Sequence, residues 1–479
     1  MSTKSYQYTR IASSLSDMVR DGILVAGQRM PSLRQLSAQH NVSMSTAVQV
    51  YRKLEDDGLI VSRERSGYFV RNSHIEPRDL QPQITSLPDT PQLASHAQLS
   101  FGLLRAARMP GVLSLGIVAT PVSEYLPQSS LARALSSVCR KEISSPVSYG
   151  DFQGYLPLRI QIARRMIDAG CQIAPEEILI TNGCQESMFL AFSVITKPGD
   201  TVMLESPTYF GVIHILESLG VKALEIPTDP TNGIDLDAVE RAIKKHNIAA
   251  CMCMPVCQNP LGASMPEKNK QRLVEIFEKE NIPLIENDAM GELIYKRPRP
   301  CAAKTFDRTG NVIFCSTFSK TLGPGHRVGW IIPGKYAQSI NYLKAVNNGG
   351  SAIWMQMAIA EMLSRSGYMQ ALNKSLNNYK ERVTTIRNWV KQYFPQGTRV
   401  SKPQGGYLLW VEFPESVKTI ELFERLLEKN IAIASGEVFS PNAVYKHHIR
   451  LNCGEEASDL DRVHDAIKTI GVLAEDMCS

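Results

Sequence analysis

Long apolar runs are missing from this 479-residue chain. No stretch of eighteen apolar residues occurs, and that excludes an ordinary membrane-spanning helix. The opening MSTKSYQYTR is polar and lacks the apolar centre of a secretory signal, so no export leader is expected. The ten cysteines show none of the framework spacing of a small disulfide-stapled domain. Cys251, Cys253 and Cys257 cluster, but no second ligand pair stands nearby. MCMPVCQNP therefore reads as a buried strand entering a loop, and no metal site is expected. Cysteines of this kind suit a reducing cytoplasmic location. Internal repeats are absent, and the net charge of +5 is mild for the length.

What is present is unevenly distributed. The length implies two or three domains, and 43% hydrophobic with 21% charged residues is the balance of a soluble globular protein. Residues 1–72 carry ten Lys and Arg against six Asp and Glu, so most of the positive excess lies in the first sixth of the chain. There, IASSLSDMVRDGIL has helical apolar spacing, with Ile11, Leu15, Met18 and Val19 on one side. Gly27 and Pro31 break it, and Ser32 caps a second helix in SLRQLSAQH. Asn41-Val42-Ser43 turns the chain. Ser43 or Ser45 then starts a third helix, TAVQVYRKLEDD, that stops at Gly58. LIVSRERSGYFV reads as two short strands around a basic tip. Three helices and a two-stranded wing predict a winged helix-turn-helix, whose third helix can enter the major groove of double-stranded DNA.

Residues 73–98, with four prolines, read as a partly extended, semi-rigid linker. From residue 99 to 479 strands and helices alternate, predicting an α/β domain with a mainly parallel sheet. Beyond Gly405-Gly406 a smaller C-terminal α+β subdomain is expected.

Chemistry concentrates at Ser316-Thr317-Phe318-Ser319-Lys320 and at Arg327. A lysine at a strand end can form a Schiff base with an aldehyde, while Thr317, Ser319 and Arg327 can grip a phosphate. Pyridoxal 5'-phosphate (PLP) is a phosphorylated aldehyde and needs both. Gly183, Cys184 and Gln185 join a strand to a helix, where backbone N–H groups favour an anion.

Two resemblances follow. GQRMPSLRQLSAQHNVSMSTAVQVYRKLEDDGLIVSRERSGYFV resembles the GntR family head. That resemblance implies DNA contacts from Arg34, Ser43, Ser45, Thr46 and the wing around Arg65, Ser66 and Gly67. Met44 stands where that family often has arginine, leaving contact with a thymine methyl or none. Residues 99–479 resemble fold-type I PLP enzymes of the aminotransferase class. By that resemblance Tyr149 in SYGDFQG reaches the cofactor phosphate of a neighbouring subunit, and Gly183, Cys184 and Gln185 cradle the phosphate. Tyr209 stacks on the pyridine ring, Asn259 donates to the phenolic oxygen, Lys320 carries the Schiff base, and Arg450 clamps an amino-acid carboxylate.

One segment departs from the pattern. Aligned through Glu286 and Gly291-Glu292-Leu293, Asn287 occupies the aspartate position opposite the pyridine nitrogen, and Met290 occupies that of a tyrosine. A register slip would bring Asp288 forward instead, although such a slip turns a side chain to the other face of a strand. A neutral asparagine supports the pyridinium less than a carboxylate and leaves a poorer electron sink. Amine exchange at the aldehyde does not need that sink.

Together the halves resemble the MocR-type branch of GntR regulators. The resemblance implies a PLP-responsive, operator-binding homodimer that senses PLP or an amino-acid-like amine. Two alternatives stay open: an active aminotransferase with a vestigial head, and a DNA-binding protein whose body is only a scaffold for dimerisation.

Overall fold

The computed structural model describes residues 7–20, 24, 28–57, 59–63, 67–70, 80–93, 97–116, 127–141, 150–454 and 460–478. Two compact units result, one built on Met1–Leu80 and the other on most of Gln81–Ser479.

In the first unit three helices, α1 (Gln7–Arg20), α2 (Leu33–Gln39) and α3 (Met44–Asp56), precede the antiparallel strands β1 (Ile60–Arg63) and β2 (Gly67–Val70). This is the predicted winged helix-turn-helix order. Ser32 starts α2 with a reciprocal cap: its Oγ accepts from Gln35 N (3.3 Å) and Gln35 Oε1 accepts from Ser32 N (2.8 Å). Of the two serines proposed to start α3, Ser43 is the cap, its Oγ accepting from Thr46 N at 3.1 Å. The helix ends at Asp56. Gly27, Gly58, Arg65 and Ser66 lie outside the described residues. Ile11, Leu15, Leu36, Val50, Tyr51 and Leu54 form the core of the unit.

The second unit is organised by one large sheet. Its strands are β3 (Gln92–Leu93), β5 (Leu179–Thr181), β6 (Thr201–Ser206), β7 (Lys222–Asp229), β8 (Gly233–Ile234), β9 (Ile248–Cys253), β10 (Leu284–Asn287), β11 (Val312–Thr317) and β12 (Gly329–Ile332). A short strand β4 (Leu113–Ser114) pairs elsewhere, with Ile431–Ala432. The sheet order is β3-β7-β6-β9-β10-β11-β12-β5, with β8 on β7. The run from β7 to β11 is parallel, and β12 pairs antiparallel on both sides. Strands β6, β9, β10 and β11 are almost wholly buried, as parallel strands covered on both faces must be. Cys251 and Cys253 pack inside β9 as apolar side chains. Carboxyl ends of parallel strands gather along one edge of such a sheet, where loops can build a pocket.

Helices α4 (Ala97–Ala106), α5 (Gln128–Lys141), α6 (Leu156–Asp168), α7 (Cys184–Ile195) and α8 (Phe210–Ser218) open the body. The later strands Arg399–Val400, Leu408–Glu412, His448–Asn452 and Ala434–Ser435 form a separate four-stranded sheet, the expected smaller subdomain. Glu225 on β7 ties it to the large sheet. Its buried carboxylate accepts from Ser206 (2.5 Å), Ser440 (2.9 Å) and Asn442 (2.6 Å). Part of the stretch read as linker belongs to this unit: β3 adds to β7, and Gln83 N donates to Glu412.

Leu54 is fully buried between the helices of the first unit. Leu54→Ala should therefore cost that unit about 2–5 kcal/mol. Urea unfolding of the full chain should show its transition at lower denaturant while the transition of the body stays in place.

Candidate functional site

A cavity of about 250 Å³ opens where the carboxyl ends of β5, β6, β9, β10 and β11 converge. Each loop delivers a wall. Cys184 and Gln185 come after β5, Tyr209 after β6, Met254 and Asn259 after β9, Asn287 and Met290 from β10, and Thr317, Ser319 and Lys320 from β11. Arg327 closes one side. The structure thus brings together most residues singled out from the sequence, across 143 positions of chain from Cys184 to Arg327. Tyr149 lies outside the described residues.

One end of the cavity is built for an anion. Gly183 precedes α7 with φ 93°, and a Cβ on it would stand 2.8 Å from Arg327 Nη2. Arg327 itself takes the left-handed region at φ 52° and donates from Nη2 to Asn182 O at 2.5 Å. The guanidinium is thereby held over the first turn of α7, whose N–H groups carry the positive end of the helix dipole. Thr317 Oγ1 and Ser319 Oγ lie 2.8 Å apart, and the Thr317 hydroxyl also accepts from Ser319 N. These hydroxyls sit in the tight turn Phe318–Lys320 that presents Lys320.

Burial, with Arg450 and Arg327 close by, pulls the Lys320 ammonium down to about 8. A larger fraction of neutral amine is then available near neutral pH. Arg450, fully buried on the strand His448–Asn452, does not line the cavity. It stands directly behind the wall, donating from Nη1 to Asn259 Oδ1 (3.0 Å) and from Nη2 to Gly116 O (2.6 Å). Its Nε has no partner among the described residues. Burial lowers this guanidinium to about 9. The described cavity lining contains no aspartate or glutamate.

The position opposite a pyridine nitrogen is decided by β10. Asn287 lines the cavity, its Oδ1 accepting from Ala289 N at 3.1 Å and from the Cys184 thiol at 3.4 Å. The backbone donor fixes the amide orientation, so Nδ2 is the polar group left, and it meets only the weak acceptor Met188 Sδ at 3.4 Å. Asp288 does not join the cofactor candidates in the cavity. It turns to the other side of the chain and forms a buried two-pronged pair with Arg299, at 2.6 and 3.0 Å. The alternation of strand side chains is the physical reason. Met290, 2% exposed, lines the cavity wall, at the position that the aminotransferase pattern gives to a tyrosine.

Tyr209 is half-buried, its hydroxyl donating to Gln185 Oε1 at 3.4 Å, while Gln185 Nε2 donates to Gly211 O. Sequence reasoning missed the apolar walls Leu104, Met188, Phe210, Met254 and Pro324. Phe210 and Met254 were adjacent to flagged motifs, but nothing local marks Leu104, which arrives from α4.

The residues present fit PLP. A dianionic phosphate matches the Gly183 notch beneath Arg327, an aldehyde matches Lys320, and the unpartnered Arg450 Nε leaves a donor for a carboxylate behind them.

In the first unit α3 presents Met44 and Val48, 45% and 43% exposed, on the face opposite the core. Ser45 and Thr46 hydroxyls each lie 2.8 Å from Ser43 Oγ, which is already engaged as the cap. Arg34 is exposed on α2, and Gly67, φ 92°, begins β2.

The chain matches the aminotransferase class I and II family over residues 113–467 and the bacterial regulatory proteins of the gntR family over residues 7–70. It is 34% identical to the HTH-type transcriptional regulator YjiR of Escherichia coli over 97% of this chain and 98% of that one. The regulator YdcR of the same organism is also 34% identical, over 98% and 99%. Among solved structures it resembles LysN, the α-aminoadipate aminotransferase of Thermus thermophilus complexed with N-(5'-phosphopyridoxyl)-L-leucine. There the TM-score is 0.72 at 27% identity, over 78% of this chain and 95% of that one.

Three outcomes test the geometry. Gly183→Ala should displace the Arg327 guanidinium and strain the backbone, weakening PLP uptake at least tenfold in equilibrium dialysis. The rate of PLP attachment, followed by absorbance, should rise with pH through about 8 and then level off, because only the neutral Lys320 amine attacks. Arg450→Met should move that midpoint upward by removing a neighbouring positive charge.

Proposed function

This chain belongs to the aminotransferase class I and II family and, with its gntR head, is a DNA-binding transcriptional regulator of the MocR type that takes PLP; on that premise we propose that it reports exchange of an amine at that cofactor to an operator. The single observation that carries the reading is the pairing of Lys320 with a neutral Asn287 in one cavity, with the Nε of the buried Arg450 behind its wall left without a partner among the described residues. Bound PLP supplies an aldehyde carbon that can be held by one amine and passed to another.

The residues would divide the work as follows. Arg327, the start of α7 and the Thr317 and Ser319 hydroxyls hold the phosphate. Tyr209 covers one face of the ring. Asn259 donates toward the phenolic oxygen from its own Nδ2, since its Oδ1 is taken by Arg450. Arg450 Nε receives the carboxylate of an incoming amino-acid-like effector. Lys320 Nζ would be the group that an effector amine displaces, and it would take up the two protons that the incoming ammonium gives up. Asn287 Nδ2 can donate to the pyridine nitrogen but cannot hold it protonated as a carboxylate would. The site therefore favours exchange over removal of an α-proton, which supports a sensor over an active aminotransferase.

On the DNA side, α3 enters the major groove with Met44 and Val48 toward base edges. The apolar pair suits thymine methyls. Arg34, Ser45, Thr46 and the wing residues Arg65 and Gly67 contribute backbone contacts. Ser43 acts mainly by ordering the start of the helix. A homodimer, with each head on one half-site, and a cytoplasmic location complete the proposal. No described helix is long and apolar enough to cross a membrane.

A DNA fragment selected by the protein from a random pool gives the test, at fixed salt. PLP should change its affinity at least fivefold. Lys320→Ala should abolish that change while binding DNA as the PLP-free protein does. Equal affinities with and without PLP in the unaltered protein, with PLP demonstrably bound, would reduce the body to a scaffold.

A further inference from the structure

The start of α7 carries a negative charge beside the positive end of its dipole. Glu186 stands in the first turn, one residue beyond the cradle of Gly183, Cys184 and Gln185. Its carboxylate reaches back and accepts from Asn182 N at 2.5 Å. A carboxylate in this position orders a helix start by answering its N–H groups and its dipole. It also lies close to the end of the cavity that suits a dianionic phosphate, and like charges oppose each other there. Some further group has to offset it.

That group is Lys344, on the helix Ala337–Asn348. Its side chain is fully buried, although Tyr342 and Val346 on the same helix are 73% and 65% exposed. Nζ lies 3.4 Å from both carboxylate oxygens of Glu186 and 2.9 Å from Asn348 Oδ1 and Ser351 Oγ. Asn348 Nδ2 in turn donates to Glu186 Oε1. The three N–H donors of an ammonium thus face four acceptors, a setting that suits the charged form. Burial pulls this ammonium down from the ordinary lysine range, and Glu186 opposes the pull.

Neither Lys344 nor Glu186 lines the cavity. Their effect on it passes through Asn182, which is gripped from both sides. Its N–H is held by Glu186, and its carbonyl accepts from Arg327 Nη2 at 2.5 Å. The next residue is Gly183, the notch beneath that guanidinium.

Resting on PLP as the occupant of the cavity, but not on amine exchange, we infer that Lys344 is a positioning residue for the cofactor phosphate. It offsets the charge of Glu186 and keeps that carboxylate on Asn182, which leaves Arg327 and the start of α7 available to the anion. Without the Lys344 charge, Glu186 would repel the phosphate and compete with it for Arg327. The aldehyde end of the site would be spared, because Lys320 is delivered by the turn after β11 and by neither of these helices.

The test compares PLP with pyridoxal, which carries the same aldehyde and no phosphate, by titrating the full-length protein and following the absorbance band. Lys344→Met should raise the half-saturating concentration of PLP about tenfold and that of pyridoxal by less than about twofold. Lys344→Gln, which keeps a donor near Glu186 and loses the charge, should give the same split, and it serves where the methionine variant does not fold. Adding Glu186→Gln to Lys344→Met should return PLP to within about threefold of the unaltered protein. No charge is then left unpaired, and the glutamine oxygen can still accept from Asn182 N. Equal losses of PLP and pyridoxal in a folded single variant overturn this inference alone, because a merely structural lysine would produce them. So does an unchanged PLP affinity, or a double variant that recovers nothing. Unaltered protein that acquires no band with PLP overturns the assignment of the cofactor and this inference with it.

Discussion

Positive charge held away from water, with no negative charge in the described cavity lining to answer it, is the constraint around which the body is arranged. Arg450 is fully buried, and an isolated buried guanidinium is costly unless its N–H groups are matched. The fold meets part of the demand with two carbonyl oxygens, from Asn259 and Gly116, and with the ring of Phe439, 4.7 Å from the guanidinium carbon. It leaves Nε over. Lys320 and Arg327 line the cavity on the near side of the wall behind which Arg450 stands. Burial, with Arg450 and Arg327 close by, sets Lys320 lower than an ordinary lysine. An anionic ligand in the cavity would offset the charge of Lys320 and Arg327.

On the proposed reading, the same site lacks the carboxylate that rapid turnover would use at the pyridine nitrogen. A carboxylate does exist one residue beyond Asn287, yet Asp288 is spent on Arg299 in a buried pair. Asn287 offers an amide whose oxygen is held by the backbone of Ala289, so its hydrogen-bonding direction is set before any ligand arrives. Met290 replaces a hydroxyl-bearing side chain with an apolar one. Three neighbouring positions on one strand end therefore act in the same sense. On the proposed reading they would let the pocket hold a pyridine ring while weakening its power to stabilise a carbanion.

The head follows a different logic. Its core is small, and its helix starts depend on local caps at Ser32 and Ser43. Exposed apolar side chains on α3 cost little in water and gain only where a complementary apolar surface exists. Met44 and Val48 are i, i+4 neighbours and so form one continuous patch on the helix.

Much of this was legible in the sequence because it is local. Helical spacing, caps, the alternation of apolar strands with helices, and the lysine with its flanking hydroxyls are all set within a few residues of chain. Strand alternation allows only one of Asn287 and Asp288 to point inward, but which of them does so was left open by the sequence and is set by the pairing of Asp288 with Arg299. Tertiary structure alone decided the rest. It brought Leu104 from α4 to the cavity wall and set Arg450 behind Asn259, 191 positions away in the chain. It also joined β7 to the smaller subdomain through Glu225. These contacts depend on how distant elements pack, and no local pattern encodes the partner that a buried charge or an apolar side chain will meet.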